Sequence, residues 1–280
     1  MPSQNIVIYH MHVPAPPLDH YIEHFWYYEG YTPATHADKL LPDGAMELII
    51  DLTDIPKRLY QSYGGRFRTF RNCWISGLQK GFLIIGNMPN SSMMGARFRP
   101  GGAFPVFGFP MTELAAQVID LESVWKREAL ALREQILEQP TPQLKFAVLE
   151  AFLVRRARER LRQDRALEFA LRQMRGNEPD LVRSLASSVG LSHKGLIGRF
   201  HRRVGVGPKF VARVLRFQRV IQGVGQQNDV DWTQAAHQAG YYDQPHFNHE
   251  FRDFTGLVPG EYLRARGPFL NWISLPDLAG

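Results

Sequence analysis

The stretch GYYDQPHFNHEFRDFTG, residues 240–256, places His246 and His249 three residues apart, with His237 upstream and Glu250 beside them. On a helix this spacing puts both imidazoles on one face, an arrangement that can hold a metal ion. A structural zinc site needs about four ligands, however, and an open catalytic one about three. Glu250 adjoins His249 instead of sharing its face, and the single cysteine, Cys73, lies far away in sequence. The residues therefore point to no metal. The other chemistry open to them is hydrogen bonding by an exposed helix face carrying Gln244, His246, Asn248 and His249, while Phe247 and Phe251 turn inward. Amides and imidazoles can reach base edges or phosphates, and Gln or Asn can pair with adenine through two bonds.

The elements needed to position these residues occur twice. Ala186, Gly190, Ser192, Leu196, Phe200, Gly205 and Pro208 form one series, and Ala236, Gly240, Asp243, Phe247, Phe251, Gly256 and Pro259 form a second. All intervals match, save one extra residue after the first glycine of the second series. Each series predicts a helix ending at a glycine able to take positive φ, then a capping Ser or Asp, then a helix whose apolar residues four apart face inward. The small alanines let the two helices cross closely. That is a helix-turn-helix, repeated, with Gly205 and Gly256 ending the second helix of each unit and Pro208 and Pro259 suited to the first turn of the next segment. Between the units, KFVARVLRFQRVIQG predicts a linker helix of roughly 22 Å, at about 1.5 Å per residue. Second helices about 34 Å apart, one turn of B-DNA, are then geometrically reasonable.

Charge agrees with a polyanionic partner. The net charge is +6, and no Asp or Glu occurs between Leu181 and Asn228, where nine Lys and Arg residues fall. The 280 residues, 44% hydrophobic and 21% charged, leave room for two domains. No apolar run approaches the roughly 20 residues of a membrane span, and the start MPSQNIVIYHMHVP lacks the features of a signal peptide. With one cysteine as well, the chain reads as a cytoplasmic protein that makes no membrane contact.

LASSVGLSHKGLIGRFHRRVGVGPKFVARVLRFQRV and AAHQAGYYDQPHFNHEFRDFTGLVPGEYLR resemble the DNA-binding domain of the AraC/XylS family of bacterial transcription regulators. The resemblance covers about the last third of the chain. It implies a non-enzymatic, sequence-specific binder of double-stranded DNA, acting as a homodimer, with RNA polymerase and a small-molecule effector as further partners and no cofactor. It also implies an N-terminal effector or dimerisation domain, often a cupin-like β-barrel. Base reading would fall to Lys194 and Ile197 in the first unit and to Gln244, His246, Asn248 and His249 in the second. Phosphate contacts would fall to Arg199, Arg202, Arg203, Lys209 and Arg252. The first unit departs from the family pattern: Ile197 and Gly198 are poor hydrogen-bonding residues, and Gly195 and Gly198 each weaken a helix by about 1 kcal/mol relative to Ala.

The expected fold is α+β and multidomain: an N-terminal β-sandwich or cupin-like barrel, following helices, then an all-α domain of two helix-turn-helix units. Boundaries are expected at 1–109, 110–163, 164–266 and a tail 267–280. NIVIYHMHV, YIEHFWYYEG, MELIIDLT, RFRTFRNCWISG and GFLIIGN read as strands, and MTELAAQVIDLESVWKREALALREQILEQ as helix with Thr112 as its cap. Trp26, Tyr28 and Trp74 are candidates for an effector pocket, although aromatic residues in strands more often fill a core. Cys73, in RNCWIS, reads as a buried structural thiol. The rival reading is a cupin-type metal-binding enzyme or sensor with an accessory DNA-binding tail.

Overall fold

The computed structural model describes residues 8–176, 181–267 and 269–275. Strands β1 (Ile8–His12), β2 (Ile22–Tyr31), β3 (Ala37–Leu40), β4 (Met46–Asp51), β5 (Lys57–Tyr60), β6 (Phe67–Phe70), β7 (Cys73–Ser76), β8 (Leu83–Gly86) and β9 (Ser91–Phe98) make up the first part. With β10 (Val118–Asp120) and β11 (Trp272–Leu275) they form two antiparallel sheets, ordered β1-β2-β9-β4-β7-β10 and β11-β3-β8-β5-β6. Side chains alternate across the first sheet as strand geometry requires. Phe25, Tyr27, Leu48, Ile50, Cys73 and Ile75 face the helices that come after the strands in sequence. Trp26, Ile49 and Trp74 point the other way and join Leu59, Phe70 and Leu83 of the second sheet in a smaller core. A sandwich with helices on one outer face results.

The strands missed in sequence have identifiable causes. β3 and β5 contain Lys39 and Lys57, which interrupt the apolar pattern yet are buried because their ammonium groups find partners. RFRTFRNCWISG is not one strand: Asn72 adopts φ 58°, so β6 and β7 enter different sheets. β9 begins inside NMPNSS, whose Asn, Pro and Ser residues predict a turn.

The helical reading of residues 111–139 also requires correction. Thr112 sits in a 3₁₀ turn, Val118 lies in β10 at the edge of the larger sheet, and helix resumes in α2 (Leu121–Trp125) and α3 (Arg127–Leu137). Ala116 and Lys126 take positive φ and break what periodicity alone suggested was continuous. With α1 (Phe104–Phe107) and α4 (Pro142–Ala157), these helices cover the larger sheet. Thr141 caps α4 by accepting from the Leu144 amide.

The remaining helices are α5 (Arg165–Met174), α6 (Leu181–Ser188), α7 (His193–Val204), α8 (Pro208–Val224), α9 (Trp232–Gln238), α10 (Gln244–Thr255) and α11 (Pro259–Ala265). They are not a separate globule. Leu196, Phe200, Val204, Val206 and Val211 belong to the same apolar cluster as the larger sheet. Leu41 of the N-terminal domain is buried with Phe217, Phe251, Phe254 and Tyr262. Part of the expected tail is β11, which pairs antiparallel with β3; GNEPD, residues 176–180, whose Gly and Pro predict a break between helices, and the rest of the tail fall largely outside the described residues.

Candidate nucleic-acid interface

Both repeats fold as their residues require. Gly190 and Gly240 take φ of 67° and 90° at the turns, and Gly205 and Gly256 take φ of 93° and 68° at the ends of α7 and α10. Ser192 Oγ accepts from the Gly195 amide at 3.1 Å, and Asp243 Oδ1 accepts from the His246 amide at 2.8 Å. Each bond satisfies an amide at a helix start that would otherwise lack a partner. Ala186 and Ala236 are buried at the helix crossings, and Leu196, Phe200, Phe247 and Phe251 are wholly buried. The two units are thus α6–α7 and α9–α10, joined by α8.

This packing decides which side chains remain outside. On α10, His246, Asn248, His249 and Arg252 are exposed, and Gln244 is half-buried. On α7, Lys194, Arg199 and Arg202 are exposed and Ile197 is half-buried; Lys209 is exposed at the start of α8. His246 Nε2 stands 3.8 Å from Glu250 Oε2, and His249 Nε2 stands 3.7 Å from Asp253 Oδ2. Among the described residues no group of three or more His, Cys, Asp and Glu side chains is arranged to hold a metal ion.

The positive block is uncompensated along the sequence and substantially compensated in space. Asp164, capping α5, pairs with Arg199 Nη1 at 2.8 Å and Arg203 Nε at 3.2 Å. Arg203 and Arg202 both lie over the Phe104 ring, 4.9 and 5.4 Å from its centroid; half-buried Arg203 is held by the ring and by Asp164, exposed Arg202 by the ring alone. Arg219 donates to the Ala239 carbonyl at the end of α9. Arg213 and Arg216 converge on Glu250. In the sequence Glu250 stands out only as a badly placed metal ligand; its apolar neighbours Phe247, Phe251 and Phe254 are the signal that it faces inward.

Glu250 is the centre of the second unit. It accepts from Arg213 Nε at 2.7 Å, from Arg216 Nη2 at 3.1 Å and from the Tyr241 hydroxyl at 2.7 Å. Burial, with the neighbouring Glu250 carboxylate, pushes the Tyr241 hydroxyl well above the ordinary phenol range. Linker helix, turn and recognition helix are thereby fixed to one carboxylate.

In the N-terminal domain, Trp26, Tyr28 and Trp74 share the face that looks toward the second sheet. Trp26 stacks on Tyr28 at 5.9 Å, and Trp74 is buried against Ile49, Phe70 and Val118. Nearby, Lys57 is buried 3.5 Å from Asp51 and donates to Ser91 Oγ. Desolvation lowers the Lys57 pKa, with Asp51 opposing that shift. No helix among the described residues is long and apolar enough to cross a membrane.

The sequence matches two domain families. Residues 10–120 match a domain of unknown function, DUF6597, and residues 185–265 match a helix-turn-helix domain. None of the curated proteins matches. Among solved structures, ToxT from Vibrio cholerae is similar at 10% identity over 86% of this chain and 98% of the other, with a TM-score of 0.44. A second ToxT structure, with bound unsaturated fatty acid, is similar at 9% identity over 92% and 94%, with a TM-score of 0.42. Superpositions this loose transfer no residue role. The family match rests instead on residues 185–265, whose two capped turns and glycine stops make the C-terminal part of this chain a helix-turn-helix domain of two units.

Proposed function

We propose that the protein is a one-component transcription regulator that binds double-stranded DNA sequence-specifically through α7 and α10, under control of a small molecule held by the N-terminal domain. One observation carries this reading: the two recognition helices repeat the same cap, core and stop, and each leaves polar side chains exposed near its N-terminus. The N-terminal part of a recognition helix is what enters a major groove. On α10, Asn248 reads a base, assisted by Gln244, His246 and His249. On α7, where Ile197 offers only an apolar contact, Lys194 and Arg202 mainly grip phosphates, with Lys209 and Arg252 adding to the grip. The effector lies against Trp26, Tyr28 and Trp74. The regulator acts in the cytoplasm as a homodimer that engages RNA polymerase, the two-fold arrangement matching symmetric operators.

The test is selection of genomic fragments by the purified protein at salt high enough to suppress non-specific binding. A shared motif is expected; equal retention of all fragments would overturn the reading. Within it, Asn248→Ala alters preference at one base pair, by roughly 1–3 kcal/mol, whereas Arg202→Ala weakens binding to every sequence alike. Sedimentation as a monomer both with and without DNA would remove the dimer.

A further inference from the structure

Each recognition helix ends on the N-terminal domain, and the two ends are seated at different places. Gly205, closing α7, lies so near the Met111 carbonyl that a Cβ would stand 2.7 Å from its oxygen. Gly256, closing α10, lies under Phe82, where a Cβ would stand 2.7 Å from the ring. Positive φ and close approach both require glycine at these two positions.

The second seat is the more elaborate. Lys39 on β3 is buried, and its ammonium donates to the Thr255 carbonyl, the last of α10, at 2.9 Å. A cation at a helix C-terminus is favoured by the helix dipole, and here it also lies 4.3 Å from the Phe82 centroid. Beside it the chain returns from α11 and adds β11 to the edge of the second sheet, with Ile273 opposite Lys39 and Trp272 opposite Leu40. Ile273 is buried in the core of the second helix-turn-helix. Asn271 exchanges two amide hydrogen bonds with Gln218 of α8, at 3.0 and 3.2 Å, and accepts from the Leu41 amide through its own carbonyl. Gln218 donates in addition to the Pro42 carbonyl. The Tyr262 hydroxyl donates to the Leu270 carbonyl and holds the returning segment against α11.

From this we infer that Lys39 and the β11 segment are positioning elements for DNA reading: they clasp the second unit to the N-terminal domain and so fix the separation of α10 from α7. The inference rests on the DNA-binding reading above. Packing and Glu250 hold α10 to α8, but the separation and relative rotation of the two units still follow any bend of that one linker helix. Seating both recognition helices on one sandwich removes that freedom. The N-terminal domain is then part of the spacing ruler as well as the seat of an effector, and β3, lying between β11 and β8, carries the ruler's contact.

The experiment is selection from a randomised duplex library with the full chain, with Lys39→Met, with Lys39→Arg, and with a chain ending at Gly267, which lacks β11. The wild type is expected to select two half-motifs at one spacing. Lys39→Met and the shortened chain should select the same half-motifs at scattered spacings, and bind the wild-type duplex about tenfold more weakly. Lys39→Arg, which keeps a donor for Thr255, should retain the single spacing. Should Lys39→Met not fold, Asn271→Ala, which removes the amide exchange and no apolar side chain, takes its place. One unchanged spacing and affinity within about twofold in the folded variants would overturn the clasp. A wild type that selects one half-motif alone, with no second, would overturn it too. A wild type that selects no motif would instead overturn the DNA-binding reading and the clasp's role with it.

Discussion

Arg213 on the linker helix donates through Nε to Glu250 on the second recognition helix at 2.7 Å, and Glu250 is almost wholly buried there. A carboxylate in an apolar core is tolerated only where charge and hydrogen bonds compensate it, and Arg216 and Tyr241 complete that compensation. The arginines of α8 therefore serve the fold before they serve a ligand. This relationship divides the basic residues of the DNA-binding domain into those consumed inside it and those left for phosphate.

Replacing Glu250 should be costly. Glu250→Ala leaves Arg216 and the Tyr241 hydroxyl without their acceptor, and is expected to destabilise the protein by about 2–3 kcal/mol, below the 3–5 of a fully buried pair because Arg213 retains solvent contact. Glu250→Gln, which can still accept from Tyr241, should lose less. Urea unfolding followed by fluorescence reads the difference; equal stability of all three proteins would show the network to be worth nothing.

The same division predicts the salt dependence of DNA binding. Lys194 and Lys209 are exposed, so replacing either with Ala should reduce the slope of log affinity against log salt by about 0.9. Arg203, held by Asp164 and Phe104, should leave the slope unchanged when replaced and lower the melting temperature instead. A slope change for Arg203→Ala equal to that for Lys194→Ala would mean that Arg203 leaves Asp164 when DNA binds.

The repeat was legible because its determinants are local: a glycine needed at positive φ, a cap two or three residues on, and apolar residues four apart lie within a short stretch of chain. Much of the sandwich was legible by the same logic of alternation. What escaped the sequence was long-range. Lys39 looks unlike a strand residue until Thr255, 216 positions away, supplies its acceptor. Glu250 looks like a surface acid until Arg213 and Arg216 arrive from another helix. Strand β11 is apolar and short, and nothing within it reveals that its partner is β3. Val118 and Leu121 have helical spacing, yet Val118 pairs opposite Ser76 at a sheet edge.

Cys73 offers a sharp test of the core. It is fully buried, and desolvation pushes its thiol up to about 12, far from the range of reactive thiolates. Native protein at about pH 8 should resist an aromatic disulfide reagent, and one equivalent should react once the chain is unfolded in guanidinium. Rapid labelling of the native protein would place Cys73 outside the core.

Alkaline stability is governed by the buried phenols. Burial raises the Tyr262 hydroxyl to about 12, and raises Tyr27, Tyr28 and Tyr241 as well, with nearby carboxylates adding to these last three shifts. A group whose folded pKa lies above its unfolded value keeps its full stabilising contribution below the unfolded value and loses it as pH rises toward the folded one. For Tyr262 the loss runs from about pH 10 to 12 and amounts to about 2–3 kcal/mol. Lys39 and Lys57 act in the opposite sense: desolvation lowers their pKa, so the cost of holding them charged is relieved as pH approaches the ordinary lysine value. Stability should thus hold or rise slightly up to about pH 10 and fall steeply above it. Tyr262→Phe gives up the bond to the Leu270 carbonyl, about 1 kcal/mol at neutral pH, and should flatten the fall above pH 10. Urea midpoints at about pH 9 and pH 11 decide the matter, because parallel decline in both proteins would mean that Tyr262 ionises as easily folded as unfolded.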